Sequence, residues 1–586
     1  MKTVSIHLGH NATVALFEDG RVMAVLSQER CDNIKNSAAF PAEALYAILS
    51  EIGWTVEDLD NVCICGKQIY PTKVYDYLFS QENTMVNRNW LVSFAKNMRD
   101  SWIGRTIPYP FDWMHAFNSK RLRGEGGKEL SVNLQRVGLS NKPIVYVDHH
   151  ECHARSAYHA LETSEKQQQA LIFTMDGSGD DLCATVTIAD GNGRWERIAV
   201  TPPHASLGGI YSNTTRFLGM KILEHEYKVM GLAPYAKEQY MLSTYERVFK
   251  PVIRLSDKNS LTFESTVNAS TFYDYLCKHG VGERFDNLSA ALQYLTETLV
   301  TQWIANGIKQ TGISRVFTGG GVFMNVKLNR KIQEMKEVEQ VFFMPSCGDE
   351  SNPIGAGYHQ AVQSGVKPEA LDHLYLGLSY LNSEIEEFLV RNDCYRKFTI
   401  SQHDDIEEVI AGLLSKREIV ARFAGRCEWG ARSLGNRAIL AHPSHMESFY
   451  TVNDYIKSRD FWMPFAPSIL DSAASRYLKG YDPQRSKAPH MITAFAATEL
   501  GVDHLRAALH QGDHTLRPQV VEEVVNSSYY KLISMFEEKT GVGAVLNTSL
   551  NLHGYPLAAT PEQALSTFEN SGLMHIALGS FLMSKK

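Results

Sequence analysis

The chain has 586 residues, of which 44% are hydrophobic and 21% charged, and its formal net charge is −7. This length exceeds what one hydrophobic core usually serves, so we expect two or more domains. The acidic balance argues against a nucleic-acid partner held by a broadly basic surface. Dispersed cysteines and the lack of a signal peptide or a long apolar run predict a cytoplasmic protein that does not bind membranes.

The N-terminus predicts three paired strands. Alternating apolar residues mark strands at 3–8, 12–17 and 21–26, with a Gly-His-Asn turn after the first and an Asp-Gly turn after the second. Helical periodicity follows at 42–52 and 290–308. Residues 80–140 are aromatic-rich and irregular, and we interpret them as an insertion that shapes a substrate pocket.

The segment V-D-H-H-E-C-H, residues 147–153, is a candidate metal site. His149 and His153 are four residues apart, so on a helix their imidazoles share one face and could bind one metal ion. Ordinary core or surface histidines are the alternative. The apolar run 170–175 ends at D-G-S-G-D-D, which predicts a strand that leads into a glycine-rich turn with a carboxylate at its tip.

Two more predicted strands lead into glycine-rich segments. Residues 315–317 precede T-G-G-G-V-F-M-N, and 341–345 precede S-C-G-D-E-S-N-P-I-G-A-G. Three such junctions indicate an α/β nucleotide-binding core with ligands at the strand ends. The looser stretch 364–381 predicts a linker.

The segment 422–437 combines four arginines with three glycines. Glycine lets the backbone approach a ligand, and guanidinium groups bind phosphate or carboxylate oxygens in pairs. A solvated basic face is the alternative, but these arginines alternate with Gly, Trp and Leu rather than with Glu and Lys. We therefore favour an anion site.

At these residues the chain resembles the ATP-dependent O-carbamoyltransferases of antibiotic and nodulation-factor biosynthesis, the NodU/CmcH type. The most specific segments are E-W-G-A-R-S-L-G-N-R-A-I-L, K-S-R-D-F-W-M-P-F-A-P, K-V-M-G-L-A-P-Y and D-H-H-E-C-H-A-R-S-A. The resemblance implies an α/β fold with an N-terminal actin-like ATPase (TsaD-like) domain, residues 1–370, with the insertion at about 70–140. It implies that a YrdC-like α/β domain, residues 371–586, follows.

The resemblance also implies the reaction. Carbamoyl phosphate and ATP with Mg²⁺ give carbamoyl adenylate in the second domain, and the first domain transfers the carbamoyl group to a hydroxyl of a small-molecule natural product. No nucleic acid or membrane partner is expected, and a homodimer is one possible assembly. We expect residues 70–130 to shape the acceptor pocket, and their mix of aromatic and acidic side chains would suit a polar or cationic acceptor: Trp90, Trp102, Tyr109, Trp113, Asp100 and Asp112.

Site residues follow from matched motifs. The implied Fe(II) site, which Mn(II) or Zn(II) would also suit, comprises His149, His153, Asp176 and Asp349. The implied carbamoyl phosphate and ATP phosphate site comprises Arg432, Arg437, Lys457, Arg459, Arg517, Asn547 and Ser549. The implied adenosine contacts are Gly319, Gly320, Gly321 and Asn325, with Lys228 nearby. His10 and Lys35 are either structural or available to bind substrate or take the proton of the acceptor hydroxyl.

The chain departs from the family pattern at several motifs. Its N-terminal H-N-A replaces H-D-A or H-D-S, so a carboxylate role there is absent. The segment D-E-S-N-P-I-G departs from D-x-G-x-A-I-G, which makes Asp349 the least secure of the four metal ligands. The ends of each motif are retained, which indicates an active, diverged enzyme.

Other functions explain the same motifs less completely. An actin-like ATPase or small-molecule kinase explains the glycine-rich turns but neither the H-x-x-x-H pair nor the arginine-rich segment. The enzymes of tRNA modification normally carry the two domains on separate chains. A hydrogenase-maturation carbamoyltransferase would bring paired C-x-x-C motifs, which the sequence lacks. A non-catalytic binding protein would not need the charge that Arg432 supplies.

Overall fold

A computed structural model describes residues 1–75, 109–161 and 169–586, with the backbone alone for residues 109–119. The described residues form a mixed α/β structure, which confirms the predicted fold class. None of the described helices is both long and apolar enough to span a bilayer.

The first sheet has five strands in the order β3-β2-β1-β4-β5. These are β1 (Lys2–His7), β2 (Thr13–Glu18), β3 (Arg21–Ser27), β4 (Asn61–Cys65) and β5 (Ile144–Val147). The first three are antiparallel neighbours, and β4 and β5 continue the sheet in parallel. The three N-terminal strands are therefore confirmed to within a residue, and β1 is buried along nearly its whole length because helices cover both faces.

The second sheet repeats this arrangement. Its strands are β6 (Ala170–Gly179), β7 (Leu182–Ala189), β8 (Trp195–Thr201), β11 (Arg315–Gly319) and β12 (Gln340–Phe343), and the small hairpin of β9 (Ile253–Leu255) and β10 (Phe263–Ser265) lies between β8 and β11 in the chain. The order β8-β7-β6-β11-β12 has the same antiparallel and parallel pairings as the first sheet. Two copies of one topology are what the actin-like fold predicts.

The turn predicted after residue 175 lies further along the chain. Strand β6 continues through the glycines to Gly179, and the hairpin turn falls on Asp180 and Asp181, whose φ angles are 49° and 62°. Two successive positive φ angles are typical of a two-residue hairpin. Asp176 is therefore not at the tip but on the strand, where the pairing with β7 is irregular between Met175 and Gly179.

The helices follow in chain order, and the two predicted ones are confirmed as α2 and, in a longer form, as α9. They are α1 (Glu29–Asp32), α2 (Ala42–Glu51), α3 (Tyr109–Arg136), α4 (His149–His159), α5 (Leu207–Phe217), α6 (Glu226–Leu232), α7 (Glu238–Thr244), α8 (Phe272–His279), α9 (Phe285–Thr311), α10 (Val326–Gln333), α11 (Asn352–Gln363), α12 (Asn382–Arg391), α13 (Cys394–Lys397), α14 (Ile406–Ser415), α15 (Met446–Thr451), α16 (Asp471–Tyr477), α17 (Glu499–His504), α18 (Ser527–Thr540) and α19 (Pro561–Glu569).

Helices α4 and α11 pack against each other between the two sheets. Helix α11 covers β1, β2 and β4, whereas α4 covers β6 and β11. Glycine at 355 permits their close approach, because a Cβ there would lie 1.8 Å from the carbonyl oxygen of Cys152. This contact places the start of α11 beside the first turn of α4.

The C-terminal region, residues 382–586, contains an eight-stranded mixed sheet in the order β13-β22-β21-β14-β15-β20-β16-β19. Its strands, with the separate pair β17 and β18, are β13 (Thr399–Gln402), β14 (Val420–Phe423), β15 (Arg437–Ala441), β16 (Ala466–Leu470), β17 (Phe495–Ala496), β18 (Thr515–Leu516), β19 (Gln519–Val521), β20 (Ala544–Ser549), β21 (His575–Leu578) and β22 (Phe581–Ser584). The arginine-rich segment connects β14 to β15. The domain boundary at residue 370 and the likeness to YrdC stay predictions.

The predicted irregular insertion is partly wrong. Residues 109–136 form the helix α3, whereas residues 76–108, with Trp90, Asp100 and Trp102, lie outside the described residues. The glycines at 124, 126 and 127 lower helix propensity and gave the segment its loop-like composition. Gly126 is needed there, because a Cβ would lie 2.4 Å from the carbonyl oxygen of Ile69.

The predicted linker, residues 364–381, contains neither helix nor strand, but it is not loose. Leu374, Tyr375 and Leu376 are buried in the same hydrophobic core as Trp429 and the sheets of the N-terminal region. The backbone N–H of Val25 donates to the carbonyl oxygen of Leu376 at 3.0 Å. The two regions therefore share one core through this segment.

The α4–α11 contact predicts that Gly355→Ala strongly destabilises the protein. We expect the free energy of unfolding to fall by at least about 2 kcal/mol, because the new methyl group forces the helices apart. Urea unfolding followed by circular dichroism measures the change.

The matched control is Gly412→Ala in α14, where an added Cβ meets no atom within 4 Å. That substitution should leave stability unchanged or raise it by up to about 1 kcal/mol. Equal losses in the two variants would contradict the packing account.

Candidate functional site

Four predicted metal ligands meet where α4, β6 and the start of α11 converge. His149 and His153 lie on α4, whose N-terminus is capped when the Asp148 side chain accepts the N–H of Glu151. Asp176 lies on β6, and Asp349 lies in the short turn that precedes α11. The structure thus brings together all four residues that the resemblance implied.

The ligand atoms face one another at short range. His149 Nε2 lies 3.2 Å from Asp176 Oδ2, 3.4 Å from Asp349 Oδ1 and 3.2 Å from His153 Nε2. His153 Nε2 lies 3.6 Å and 3.4 Å from the same two oxygens. All four donors lie within 4.8 Å of one another, as expected for ligands that surround one ion at about 2.1 Å. The residues therefore fit a divalent metal.

Neighbouring groups orient the ligands. Ser351 Oγ lies 3.4 Å from His153 Nδ1, and the Asn352 amide nitrogen lies 3.5 Å from His149 Nδ1, so both rings present Nε2 to the centre. Gly321 N–H donates to Asp176 Oδ1 at 3.2 Å. Supporting contacts of this kind fix the orientation of metal ligands.

The four side chains strongly shift one another's pKa values. Although burial opposes its charge, hydrogen bonds from His149 and His153 hold the pKa of Asp176 well below its usual range. The pKa of Asp349 falls to about 2 despite burial and the neighbouring Asp176, because His149 and His10 face it. Burial lowers the pKa of His153, but its hydrogen bonds to both carboxylates raise it overall to about 9. The two carboxylates that raise the pKa of His153 would in the same way favour a bound metal cation.

Asp349 also contacts two further histidines. Its second oxygen, Oδ2, lies 3.3 Å from His10 Nε2 and 3.5 Å from His7 Nε2. His10 is partly exposed, so it can face a substrate, whereas burial lowers the pKa of His7 to about 4 and keeps it neutral near pH 7. His7 was missed in the sequence, although the pattern I-H-L-G-H places two histidines on either side of one turn.

The glycine triplet approaches the metal ligands. A Cβ on Gly319 would lie 2.7 Å from the carbonyl oxygen of His153, and a Cβ on Gly321 would lie 2.8 Å from Asp176 Oδ1. Gly320 has a φ of 97°. Asn325 caps α10 by accepting the N–H of Leu328 at 3.0 Å, so its amide has a structural role. Its contact with adenosine stays a prediction.

Lys228 and Lys35 lie where the N-terminal region faces the C-terminal region. Lys228 Nζ lies 3.1 Å from Asp460 Oδ2, and Trp462 donates its ring N–H to the carbonyl oxygen of Lys228. Lys35 Nζ lies 3.8 Å from Glu224 Oε2, and its charge helps to lower the pKa of the buried Lys457.

Arg432, Arg459 and Arg517 form what we call the guanidinium cluster. Among the described residues none of the three side chains has an ion-pair or hydrogen-bond partner, and Nε of Arg432 and of Arg517 is buried without one. Burial and the charges of Arg432 and Arg459 lower the pKa of Arg517 well below its usual range. Half-buried cations that repel one another and lack carboxylate partners among the described residues are typical of an anion site.

Lys457 extends this cluster. It ends a π-helical turn, residues 452–457, and its buried ammonium donates to the carbonyl oxygens of Ser549 and Asn551 and to the Asn551 side chain. The Ser549 hydroxyl donates to Asn551 Oδ1 at 2.7 Å. The Ser549 and Lys457 side chains thus lie together, as the implied site requires.

Two residues implied as phosphate ligands have other partners. Arg437 is fully buried, its guanidinium donates to carbonyl oxygens that include those of Ala424 and Gly425, and it lies 3.7 Å from the ring centre of Phe423. The Asn547 amide donates to the Ser433 carbonyl and the Ser468 hydroxyl. Because the two terminal guanidinium nitrogens of Arg437 and the amide nitrogen of Asn547 already have partners inside the region, we interpret both side chains as structural, and their contact with phosphate stays a prediction.

Comparisons with known proteins show which family the chain matches. The family model "Carbamoyltransferase N-terminus" matches residues 2–358, and "Carbamoyltransferase C-terminus" matches residues 411–585. The nodulation protein NolO of Bradyrhizobium diazoefficiens is 31% identical over 75% of this chain and 79% of its own. The nodulation protein NolNO of Sinorhizobium fredii is 27% identical over 98% of this chain and 79% of its own.

Among solved structures, full-length HypF in its phosphate- and nucleotide-bound form overlaps 63% of this chain and 47% of its own. The identity is 14% and the TM-score is 0.35, so this overlap carries no argument about function.

Because Asp176 is one of four metal ligands that lie together, we predict that the protein needs it to retain the metal. We expect Asp176→Asn to lower the metal content of the purified protein by at least about tenfold, because an amide is a weaker ligand than a carboxylate. Inductively coupled plasma mass spectrometry measures the metal per chain.

The control is Asp181→Asn, at the turn of the same hairpin, where the carboxylate is exposed and contacts Gln68 and Arg123. This variant should keep the full metal content. If both variants retained metal equally, the four-ligand assignment would be wrong.

Proposed function

The chain belongs to the carbamoyltransferase family and is a carbamoyltransferase, and from this premise we propose a two-site reaction. Water cleaves carbamoyl phosphate to carbamate and inorganic phosphate, and the carbamate reacts with ATP and Mg²⁺ in the C-terminal region to give carbamoyl adenylate and pyrophosphate. The N-terminal region then transfers the carbamoyl group to a hydroxyl of a small-molecule natural product. The observation that carries this proposal is the pairing of a four-ligand metal cluster with an unpartnered guanidinium cluster in one chain.

The guanidinium cluster suits the activation step. A carbamate oxygen bonds to the α-phosphorus of ATP, and the bond from that phosphorus to pyrophosphate breaks. Negative charge then concentrates on the phosphoryl oxygens and on the departing pyrophosphate. Arg432, Arg459 and Arg517 are fixed cations in a shielded site, where they stabilise this charge far better than mobile cations in water do. Lys457 lies beside them and supplies a further cation when it is protonated.

The metal cluster suits the transfer step. His149, His153, Asp176 and Asp349 would hold the ion, with Fe(II) as the proposed metal, and the bound ion would supply Lewis-acid polarisation of the carbamoyl group. The acceptor oxygen bonds to the carbamoyl carbon, and the bond from that carbon to the AMP oxygen breaks. His10 lies at the exposed side of Asp349, and because its Nε2 faces Asp349 Oδ2, its other ring nitrogen, Nδ1, would take the proton of the acceptor hydroxyl.

Variants of the two clusters test whether activation and transfer take place at separate sites. The double variant His149→Ala/His153→Ala should abolish transfer and keep carbamate-dependent pyrophosphate release within about threefold of the unaltered protein, because the ligands lie outside the guanidinium cluster. Arg432→Ala should slow pyrophosphate release by at least about a hundredfold, because a fixed cation at the phosphates is lost.

Each variant serves as the control for the other. A coupled colorimetric assay measures pyrophosphate, and thermal unfolding verifies that both proteins are folded. Equal losses of pyrophosphate release in folded variants would refute the two-site division.

A further inference from the structure

The segment that carries Arg432 is held from two sides by different parts of the protein. Downstream of Arg432, the Glu428 carboxylate accepts the backbone N–H groups of Leu434, Asn436 and Arg437, all within the C-terminal region. Upstream, Gly430 and Ala431 are bound by side chains of the N-terminal region. The guanidinium of Arg432 therefore depends on both regions for its position.

Arg30 makes the first of these upstream contacts. It lies on α1, is 5% exposed, and donates one guanidinium nitrogen to the carbonyl oxygen of Gly430 at 2.7 Å. The other terminal nitrogen donates to the carbonyl oxygen of Leu557 at 3.1 Å, in the loop that follows Asn551, a partner of Lys457. Gln563 also donates to the backbone carbonyl of Arg30 at 2.9 Å. One buried side chain thus joins two loops that border the anion site.

Ser346 makes the second contact. Its hydroxyl accepts the N–H of Ala431 at 3.2 Å and donates to the buried carboxylate of Glu350. The approach is close, since a Cβ at Gly430 would lie 2.7 Å from Ser346 Cβ, and Gly430 has a φ of 97°. Glu350 follows the metal ligand Asp349 directly in the chain. The same turn therefore presents Asp349 to the metal cluster and, through Ser346, binds the peptide before Arg432.

We propose that Arg30 and the Ser346–Glu350 pair are positioning residues that fix the Gly430–Ala431 peptide, and that they thereby set how tightly the guanidinium cluster binds phosphate groups. Neither Arg30 nor Ser346 has a place in the chemistry described above. This inference deepens the proposed function, since it rests on the guanidinium cluster as the phosphate site.

The contacts explain why loss of these positioning residues should weaken the binding of phosphate groups. The Arg432 side chain has no hydrogen-bond or ion-pair partner within the described part of the chain, so its guanidinium is oriented by the backbone that carries it. A guanidinium binds phosphate well only when its planar fork is aligned with the oxygens. Release of the upstream peptide therefore weakens phosphate binding without removing any charge.

Arg30→Lys and Ser346→Ala test the proposal. Lysine cannot reach both carbonyl oxygens from one rigid fork, and alanine removes the hydroxyl with little change in volume. Isothermal titration calorimetry with inorganic pyrophosphate as the probe should give a Kd raised by at least about tenfold in each variant, as expected when bidentate recognition is lost. In steady-state assays of pyrophosphate release, KM for carbamoyl phosphate should rise while kcat stays within about threefold.

Matched controls separate positioning from stability. Arg426→Lys alters an arginine of the same segment whose guanidinium donates to the carbonyl oxygens of Gly377, Leu376 and Met23. Ser444→Ala removes a half-buried hydroxyl that donates to the carbonyl of His504. Both controls should bind pyrophosphate like the unaltered protein, within about twofold, since neither group contacts Gly430 or Ala431. Thermal unfolding should show equal midpoints within each test and control pair.

The outcomes are distinguishable. Weaker pyrophosphate binding in the test variants alone supports the proposal. Binding that is unchanged, or weakened equally in the controls, overturns it, and Ser346→Ala decides the matter if Arg30→Lys does not fold. If the unaltered protein binds pyrophosphate but releases none from ATP with carbamoyl phosphate, the proposed function fails while the calorimetric comparison still tests the positioning role.

Discussion

The close contact between α4 and α11 is the constraint on which the functional geometry depends. Gly355 lets α11 approach the backbone of α4 at Cys152, one residue before His153. That approach brings the turn before α11 to the first turn of α4, so that Asp349 meets the two histidines. The glycine triplet after β11 adds a second close approach at His153 and Asp176. The metal cluster is thus a product of backbone packing, to which side-chain chemistry is added.

The structure contains two clusters of charged side chains that differ in composition. The metal cluster joins two carboxylates to imidazoles that must give up protons to bind an ion, whereas the guanidinium cluster gathers cations that repel one another. Groups of this kind are costly to bury unless a ligand compensates them, which explains why such sites mark function more often than stability. The linker and Trp429 lie in the core of the N-terminal region, so the two clusters are held in one structural unit.

The sequence predicted local features well because they have local causes. Strand alternation located β1 to β3, the four-residue spacing placed His149 and His153 on one helix face, and the segment rich in arginine and glycine contains Arg432 of the guanidinium cluster. Features that depend on contacts distant in sequence were missed. Arg437 and Asn547 look like ligands until the sheet shows their carbonyl and hydroxyl partners, and His7 is recognisable only once Asp349 lies beside it. Helix α3 was mistaken for irregular chain because it contains glycines, of which Gly126 is required by the Ile69 backbone, and no local pattern reveals that contact.

The most direct test of the account is acceptor-free turnover. Purified protein is incubated with carbamoyl phosphate, ATP and Mg²⁺, and the products are followed by mass spectrometry. The account predicts pyrophosphate release that depends on carbamoyl phosphate, together with carbamoyl adenylate. Formation of ADP and phosphate instead would contradict it and favour an ATPase or kinase.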